Sequence, residues 1–279
     1  MGWHLTTSAE DFLGTAGDLL RSRPVENTVP LTAATTLRDR GLHHFGPDDP
    51  VFGWCTDDDG AVTGAFLQTP PFPLLLTAVP ENSLAALAGL LADRPLPAVN
   101  ALTADAETFA EHWCARTGAQ PAKGRQSRLF RLGTLIAPDP PPGAARVAGP
   151  DDRALLLDWF LAFQRDIGEE ARDVTDLVDD MLSYRGLTLW EVDGTPVSMA
   201  GTTRAEAGMV RVMAVYTPRE RRGRGYGGAV TTAVTQAALD AGAGDVVLFT
   251  DLANPTSNAL YQRLGYCPVE DRSIVEFIA

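Results

Sequence analysis

Met209 to Gly228 reads MVRVMAVYTPRERRGRGYGG: an apolar run, a short basic spacer, then four glycines set among arginines. The segment after it, AVTTAVTQAALDAG, reads as a helix. A strand, a glycine-rich loop and a helix N-terminus together form an anion site, because loop amides and the positive end of the helix dipole converge there. Arg219, Arg221, Arg222 and Arg224 add fixed cations suited to phosphate oxygens. Two spacings fit the loop. Gly223, Gly225 and Gly228 satisfy G-x-G-x-x-G, the dinucleotide fingerprint. Arg222, Gly225 and Gly227 satisfy [QR]-x-x-G-x-[GA]. Only 51 residues lie beyond Gly228, too few for the βαβ units a dinucleotide fold needs after its first turn.

The second spacing carries a family resemblance. VMAVYTPRERRGRGYGG resembles the acetyl-CoA loop of the GNAT N-acetyltransferase superfamily. The downstream segment resembles that family too: VVLFTD over Val246 to Asp251, then Asn254, Ser257, Asn258, Ala259, Tyr261 and Leu264-Gly265-Tyr266. Asn254 and Tyr261 reproduce the family's N-x6-Y segment, and the resemblance covers roughly residues 144 to 279.

Composition permits such a protein. The chain has 279 residues, 45% apolar and 21% charged, enough for two domains. No apolar run approaches the length of a transmembrane helix, and MGWHLTTSAEDF lacks the pattern of a secretory signal. Three scattered cysteines point to free thiols in a reducing cytoplasm, and the four histidines lack metal-ligand spacing, so no metal is expected. The formal charge of −13 is spread over both halves, which argues against a nucleic-acid partner. The arginine cluster is the local exception.

Taken in order, residues 5 to 22 and 31 to 45 read as helices. Val51 to Cys55 and Ala61 to Gln68 read as strands joined by the turn Asp57-Asp58-Asp59-Gly60. Leu74 to Val79 is a strand, and Ser83 to Ala92 a helix with Ser83 as its N-cap. Ala98 to Leu102 is a strand, Asp105 to Thr117 a helix ended by Gly118, and Ser127 to Ile136 a strand. APDPPPGA, with four prolines in eight residues, is a stiff exposed linker and the expected domain boundary. Beyond it come a strand at Arg146 to Ala148 and helices at Asp152 to Ile167 and Val174 to Tyr184. Strands at Leu187 to Val192 and Pro196 to Thr203 then lead to Met209.

The two halves read as an internal repeat, each β–β–β–α–β–α–β. The turn glycines Gly60 and Gly194 are offset by 134, the strand-ending prolines Pro80 and Pro218 by 138, and the helix-ending glycines Gly118 and Gly265 by 147. The first half is nine residues shorter between the second and third landmarks, the length of Glu220 to Gly228. At the last offset Asn254 faces Glu107 and Tyr261 faces Cys114, so the first copy is expected to bind no coenzyme. The expected fold is α/β (α+β): two GNAT-like domains, each a mixed, mostly antiparallel twisted sheet flanked by helices. They are a degenerate copy over 1–136, the Pro-rich linker 137–143, and an acetyl-CoA-binding copy over 144–279.

The resemblance implies acetyl transfer from acetyl-CoA to a primary amine, on a small molecule or peptide. It implies that backbone groups of Met213, Ala214 and Val215 take the pantetheine arm, with Asn254 and Ser257 on the other side. Arg221, Arg222, Gly223, Arg224, Gly225, Tyr226, Gly227 and Gly228 hold the diphosphate. The Val215 amide faces the oxyanion, and Tyr261 is the acid that protonates the sulfur. Ser257 also reads as the cap of the last helix. The base stays open: Met209 to Val212 holds no acid, and Glu191, Glu206, Asp251 or a water relay are the candidates. Asp166, Glu169, Glu170, Asp173, Asp176, Asp179 and Asp180 read either as an acidic wall attracting a cationic amine or as a solvated helix face. The rival functional reading is a non-catalytic module that binds acyl-CoA and reports it to a partner.

Overall fold

A computed structural model describes residues 2–169 and 171–278. In chain order the elements are β1 (Gly2–Thr6), α1 (Ala9–Ser22), α2 (Thr28–Arg40), β2 (Val51–Thr56), β3 (Val62–Gln68), β4 (Leu74–Leu76), α3 (Leu84–Leu91), β5 (Ala98–Leu102), α4 (Thr103–Thr117) and β6 (Gln120–Leu132). Next come β7 (Ala144–Val147), α5 (Arg153–Asp166), α6 (Thr175–Ser183), β8 (Leu187–Val192), β9 (Thr195–Thr202), β10 (Met209–Tyr216), α7 (Tyr226–Asp240), β11 (Asp245–Asp251), α8 (Pro255–Arg263) and β12 (Tyr266–Ile278). The succession β-α-α-β-β-β-α-β-α-β occurs twice. The repeat is fuller than the sequence pattern suggests, because that pattern merges β1 with the first helix. Ser8 separates them, its hydroxyl accepting from the Asp11 amide at 3.1 Å.

Packing divides the chain into two compact units. The first comprises residues up to Leu129, Thr250–Ala253 and the segment from Val269 onward; the second comprises Phe130–Phe249 and Asn254–Pro268. The Pro-rich run 137–143 thus falls within the second unit, and the last strand returns to the first. In the first unit the strand order is β1-β2-β3-β4-β5-β12, with only β4 and β5 parallel. In the second the order is β11-β10-β9-β8-β7, with only β10 and β11 parallel. Both sets of strands are therefore mixed and mostly antiparallel.

Strand side chains alternate between two cores, as a pleat requires. On β2 and β3, Val51 and Phe66 pack with α3 and α4, whereas Phe52, Ala65 and Leu67 pack with α1 and α2. In the second unit Val210, Val212 and Leu248 pack with α7 and α8, and Leu187, Leu189 and Met199 pack with α5 and α6.

Three local expectations change. The strand from Leu74 ends at Leu76, because the Ala65 amide donates to the Thr77 hydroxyl at 2.9 Å instead of to a main-chain carbonyl. Ser83 caps nothing; its hydroxyl donates to the Pro80 carbonyl at 2.7 Å inside a 3₁₀ turn. The strand expected from Ser127 begins at Gln120 and stops at Leu132.

Candidate functional site

The site grows out of β10. Its parallel register with β11 runs from Met209↔Asp245 to Val212↔Leu248, although β11 continues to Asp251. Against β9, Met213↔Gly201 is followed by Tyr216↔Met199, so Ala214 and Val215 oppose the single residue Ala200. This is a β-bulge, with Ala214 held at φ 49°. Side-chain direction records it: Val212 faces the α7 core, Met213 and Ala214 both face the α5–α6 core, and Val215 turns back. A bulge removes local ladder bonds, and here it coincides with the residues where the parallel pairing with β11 has ended.

Past Pro218, Arg219–Arg221 form a 3₁₀ turn and Arg222 to Gly225 a loop that enters α7. Gly225 is the N-cap in the left-handed region (φ 83°) and offers no side-chain cap. The first helical bond is Ala229 N–H to the Gly225 carbonyl at 3.0 Å, so the Tyr226, Gly227 and Gly228 amides precede the helical ladder. Gly223 (φ 74°) and Gly225 are required by backbone conformation, since a Cβ at Gly223 would meet nothing and one at Gly225 only Pro141 at 3.8 Å. Gly228 differs: it clears α8, where a Cβ would lie 3.2 Å from Leu260 Cδ1. Tyr226 is buried in the α7 core and contributes packing. The exposed loop, its uncapped helix end and its missing side chains suit a diphosphate.

The arginines are not equivalent. Arg219 Nη2 and Arg222 Nη2 both pair with Asp166, the former at 2.8 Å. Arg222 Nε also donates to the Thr217 carbonyl at 2.8 Å. Arg224 reaches the Glu220 carbonyl at 3.5 Å.

On α8, Asn254 is the N-cap: its side-chain oxygen accepts from the Ser257 amide at 3.0 Å, and Pro255 occupies the first turn. The cap is thus Asn254, and Ser257 is the residue capped. Asn-Pro at the entrance to a helix was the available signal. Tyr261 is 7% exposed, edge-on to Tyr266 with ring centroids 6.2 Å apart. Burial, and secondarily the neighbouring Tyr266, raises its pKa above that of an ordinary phenol, so its hydroxyl keeps its proton. Tyr266, whose hydroxyl is 2.6 Å from that of Thr235, is pushed up to about 12 by burial.

Two of the three candidate bases, Glu191 and Asp251, have engaged carboxylates. Glu191 accepts from Arg146 at 2.7 Å, an arginine that also forks onto Asp152. Glu206 belongs to a tight reversal in which its backbone exchanges two 2.9 Å bonds with Met209. Asp251 accepts from the Ala253 amide at 2.7 Å. Much of the acidic cluster on α5 and α6 is also consumed. Asp166 serves the loop arginines, Asp179 forks onto Arg153 at 2.6 and 2.8 Å, and Asp180 pairs with Arg204 at 2.8 Å. Asp173 accepts from the Thr175 amide ahead of α6 at 2.8 Å. Glu169 and Asp176 are exposed, and Glu170 lies outside the described residues.

The first unit has the corresponding strand pair, β4 with β5, and a 3₁₀ turn at Glu81–Ser83 after Pro80. That turn runs directly into α3, without the four residues Arg222 to Gly225 of the second copy, and α3 is 8 residues long where α7 is 15. The nine-residue deficit therefore combines a missing loop with a shortened helix, partly offset elsewhere. Arg272 of β12 donates to the carbonyls of Leu76 at 2.6 Å and Asn100 at 3.2 Å, and to Glu270 at 2.9 Å. A protein side chain thus takes the carbonyl at the end of β4 and one midway along β5.

Residues 154–266 match the family model described as Acetyltransferase (GNAT) family, which places a GNAT domain in this part of the chain. The fold extends the likeness to the whole chain. A GNAT-family acetyltransferase from Colwellia psychrerythraea matches at TM-score 0.62 and 13% identity, over 100% of both chains. A GCN5-related N-acetyltransferase from Sphaerobacter thermophilus matches at 0.64 and 17%, over 98% of this chain and 94% of that one. A tandem GNAT protein from the clavulanic acid biosynthesis pathway, solved without acetyl-CoA, matches at 0.58 and 13%, over 98% of each. At such identities the likeness is one of fold. No curated protein sequence matches. Among the described residues no helix is long and apolar enough to cross a membrane, and no group of three or more His, Cys, Asp or Glu side chains is arranged to hold a metal.

Proposed function

We propose that the second copy is an N-acetyltransferase acting in the cytoplasm, moving an acetyl group from acetyl-CoA to a primary amine of a small molecule or peptide. The observation that carries this reading is the bulge at Ala214, lying past the end of the β10–β11 register and followed by the uncapped N-terminus of α7. It leaves backbone of β10 beyond Val212 outside the β11 register, for an extended amide-bearing arm, and offers helix amides for a diphosphate. When bound, the coenzyme supplies an activated acetyl thioester.

The protein's residues then divide the work. The Tyr226, Gly227 and Gly228 amides hold the diphosphate behind Gly223 and Gly225, within the field of Arg221, Arg222 and Arg224. Met213 and Val215 present backbone groups to the arm, and the Asn254 side-chain amide approaches from α8 beside Ser257. The Val215 amide steadies the oxyanion, and Tyr261, protonated by burial, donates to the departing sulfur. Proton removal from the amine falls to water or to Glu206, because Glu191 is tied to Arg146 and Asp251 to the Ala253 amide. With no loop and with Arg272 bonded to the Leu76 and Asn100 carbonyls of its parallel strands, the first copy holds no coenzyme, so each chain binds one.

The same engagement of the carboxylates favours a second reading, a binding module that senses acyl-CoA without turning it over. Release of free thiol from acetyl-CoA across a panel of amines separates the two. Sustained release with any amine supports the enzyme; tight coenzyme binding with no release across a broad panel supports the sensor.

A further inference from the structure

Asp166 is the last residue of α5, where a carboxylate meets the negative end of the helix dipole and is locally unfavourable. Its side chain is nonetheless only 17% exposed, and both its oxygens are used. Oδ1 accepts from Arg219 Nη2 at 2.8 Å and Nε at 3.2 Å, and Oδ2 accepts from Arg222 Nη2. The two guanidinium groups hold its carboxyl below the usual carboxylate range against the opposing effect of burial. Arg222 is held at two points, by Asp166 and by the Thr217 carbonyl, and Thr217 is itself 2.9 Å from the Ser198 hydroxyl on β9. Trp159, on the same helix as Asp166, meets the Tyr216 ring at 5.9 Å. The start of the glycine loop is therefore fastened both to its own strand and to the end of α5.

The geometry points to Asp166 as a positioning residue for the coenzyme diphosphate: by anchoring Arg219 and Arg222 it fixes the entry of the glycine loop, so that the α7 amides are arrayed before the ligand arrives. This rests on the coenzyme-binding reading above. The loop from Gly223 to Gly225 contains two left-handed glycines and is conformationally permissive. Ordering it in advance removes an entropic cost from binding. The opposite role, a carboxylate that competes with the diphosphate for the same arginines, predicts an effect of opposite sign.

The test is Asp166→Asn in the full chain, with calorimetry for coenzyme A and comparison of kcat/KM for acetyl-CoA and acetyl-pantetheine, which lacks the diphosphate. Positioning predicts coenzyme A affinity lower by about three- to tenfold at low salt, as expected for charge-assisted pairs at a partly exposed site. It also predicts a kcat/KM loss confined to acetyl-CoA, and partial recovery in Asp166→Glu. Equal losses for both donors reduce Asp166 to a structural contact and overturn the proposal. Unchanged or tighter binding of coenzyme A by Asp166→Asn also overturns it, leaving the coenzyme site intact. Failure of the unmodified protein to bind coenzyme A instead removes the functional reading itself.

Discussion

Two neighbouring turns of α8 carry residues with different physical duties. Asn254 has its side-chain oxygen committed to the Ser257 amide. Asn254→Ala therefore loses a cap, at about 1 kcal/mol, together with the amide proposed to meet the coenzyme; a fall in melting temperature accompanied by weaker coenzyme binding is the expected pair of results. Tyr261 is held as a neutral phenol by burial. Removing only its hydroxyl, in Tyr261→Phe, is expected to lower kcat by roughly two orders of magnitude with coenzyme affinity unchanged by calorimetry. Full turnover in this variant would remove Tyr261 as the acid. Its position was legible from the N-x6-Y spacing, but its burial was not, because that depends on Tyr266 and the core it joins. Asp166 was legible only as one acid among seven, since its partners are 53 and 56 residues away in sequence.

Between β10 and α7 the deciding features are backbone ones. Gly225 has φ 83°, which costs any residue with a Cβ about 1–2 kcal/mol. Gly225→Val also sets a branched side chain over the α7 amides, so coenzyme affinity is expected to fall more than tenfold by calorimetry while the α7 core is retained. Gly228→Val should act differently, pressing on Leu260 and shifting α8; its expected signature is a lower melting temperature. The sequence pattern located this loop because glycine spacing reports conformation directly. It did not reveal the bulge at Ala214, for alanine carries no signal of positive φ. The bulge shows only in the register with β9 and in which core each side chain enters.

At the scale of the chain, the first unit includes the C-terminal strand. Residues Ala98–Leu102 pair with Arg272–Glu276, and Asp271 forks onto Arg128 at 2.7 and 2.8 Å. Deleting residues 269–279 should therefore unfold the first unit, seen as an early thermal transition and protease cleavage within residues 2–129. Acid titration should separate two kinds of carboxylate. Asp152, Asp166 and Asp271 have folded pKa values lowered by arginine partners. Their contribution is present above the unfolded value of about 4 and is lost as pH falls through the folded values. Asp105 and Glu270 are raised by burial, so their favourable contribution is complete below the unfolded value and is lost as pH rises through the folded one. Asp105 Oδ2 is also buried without a hydrogen-bond partner. Asp105→Asn is thus expected to raise the melting temperature at pH 7 and to leave it nearly unchanged at pH 3; no gain at neutral pH would count against burial as the cause.

The sequence alone determined the repeat, the glycine loop and the order of elements from β2 onward, because turn glycines, strand-ending prolines and helical periodicity are local properties of the chain. Tertiary structure decided what depends on distant partners: the return of the last strand to the first unit, Arg272 on the Leu76 and Asn100 carbonyls of β4 and β5, and the capture of Glu191 and Asp166 by arginines. A strand's partner and a carboxylate's counter-ion are chosen by proximity after folding, and local pattern carries no record of either.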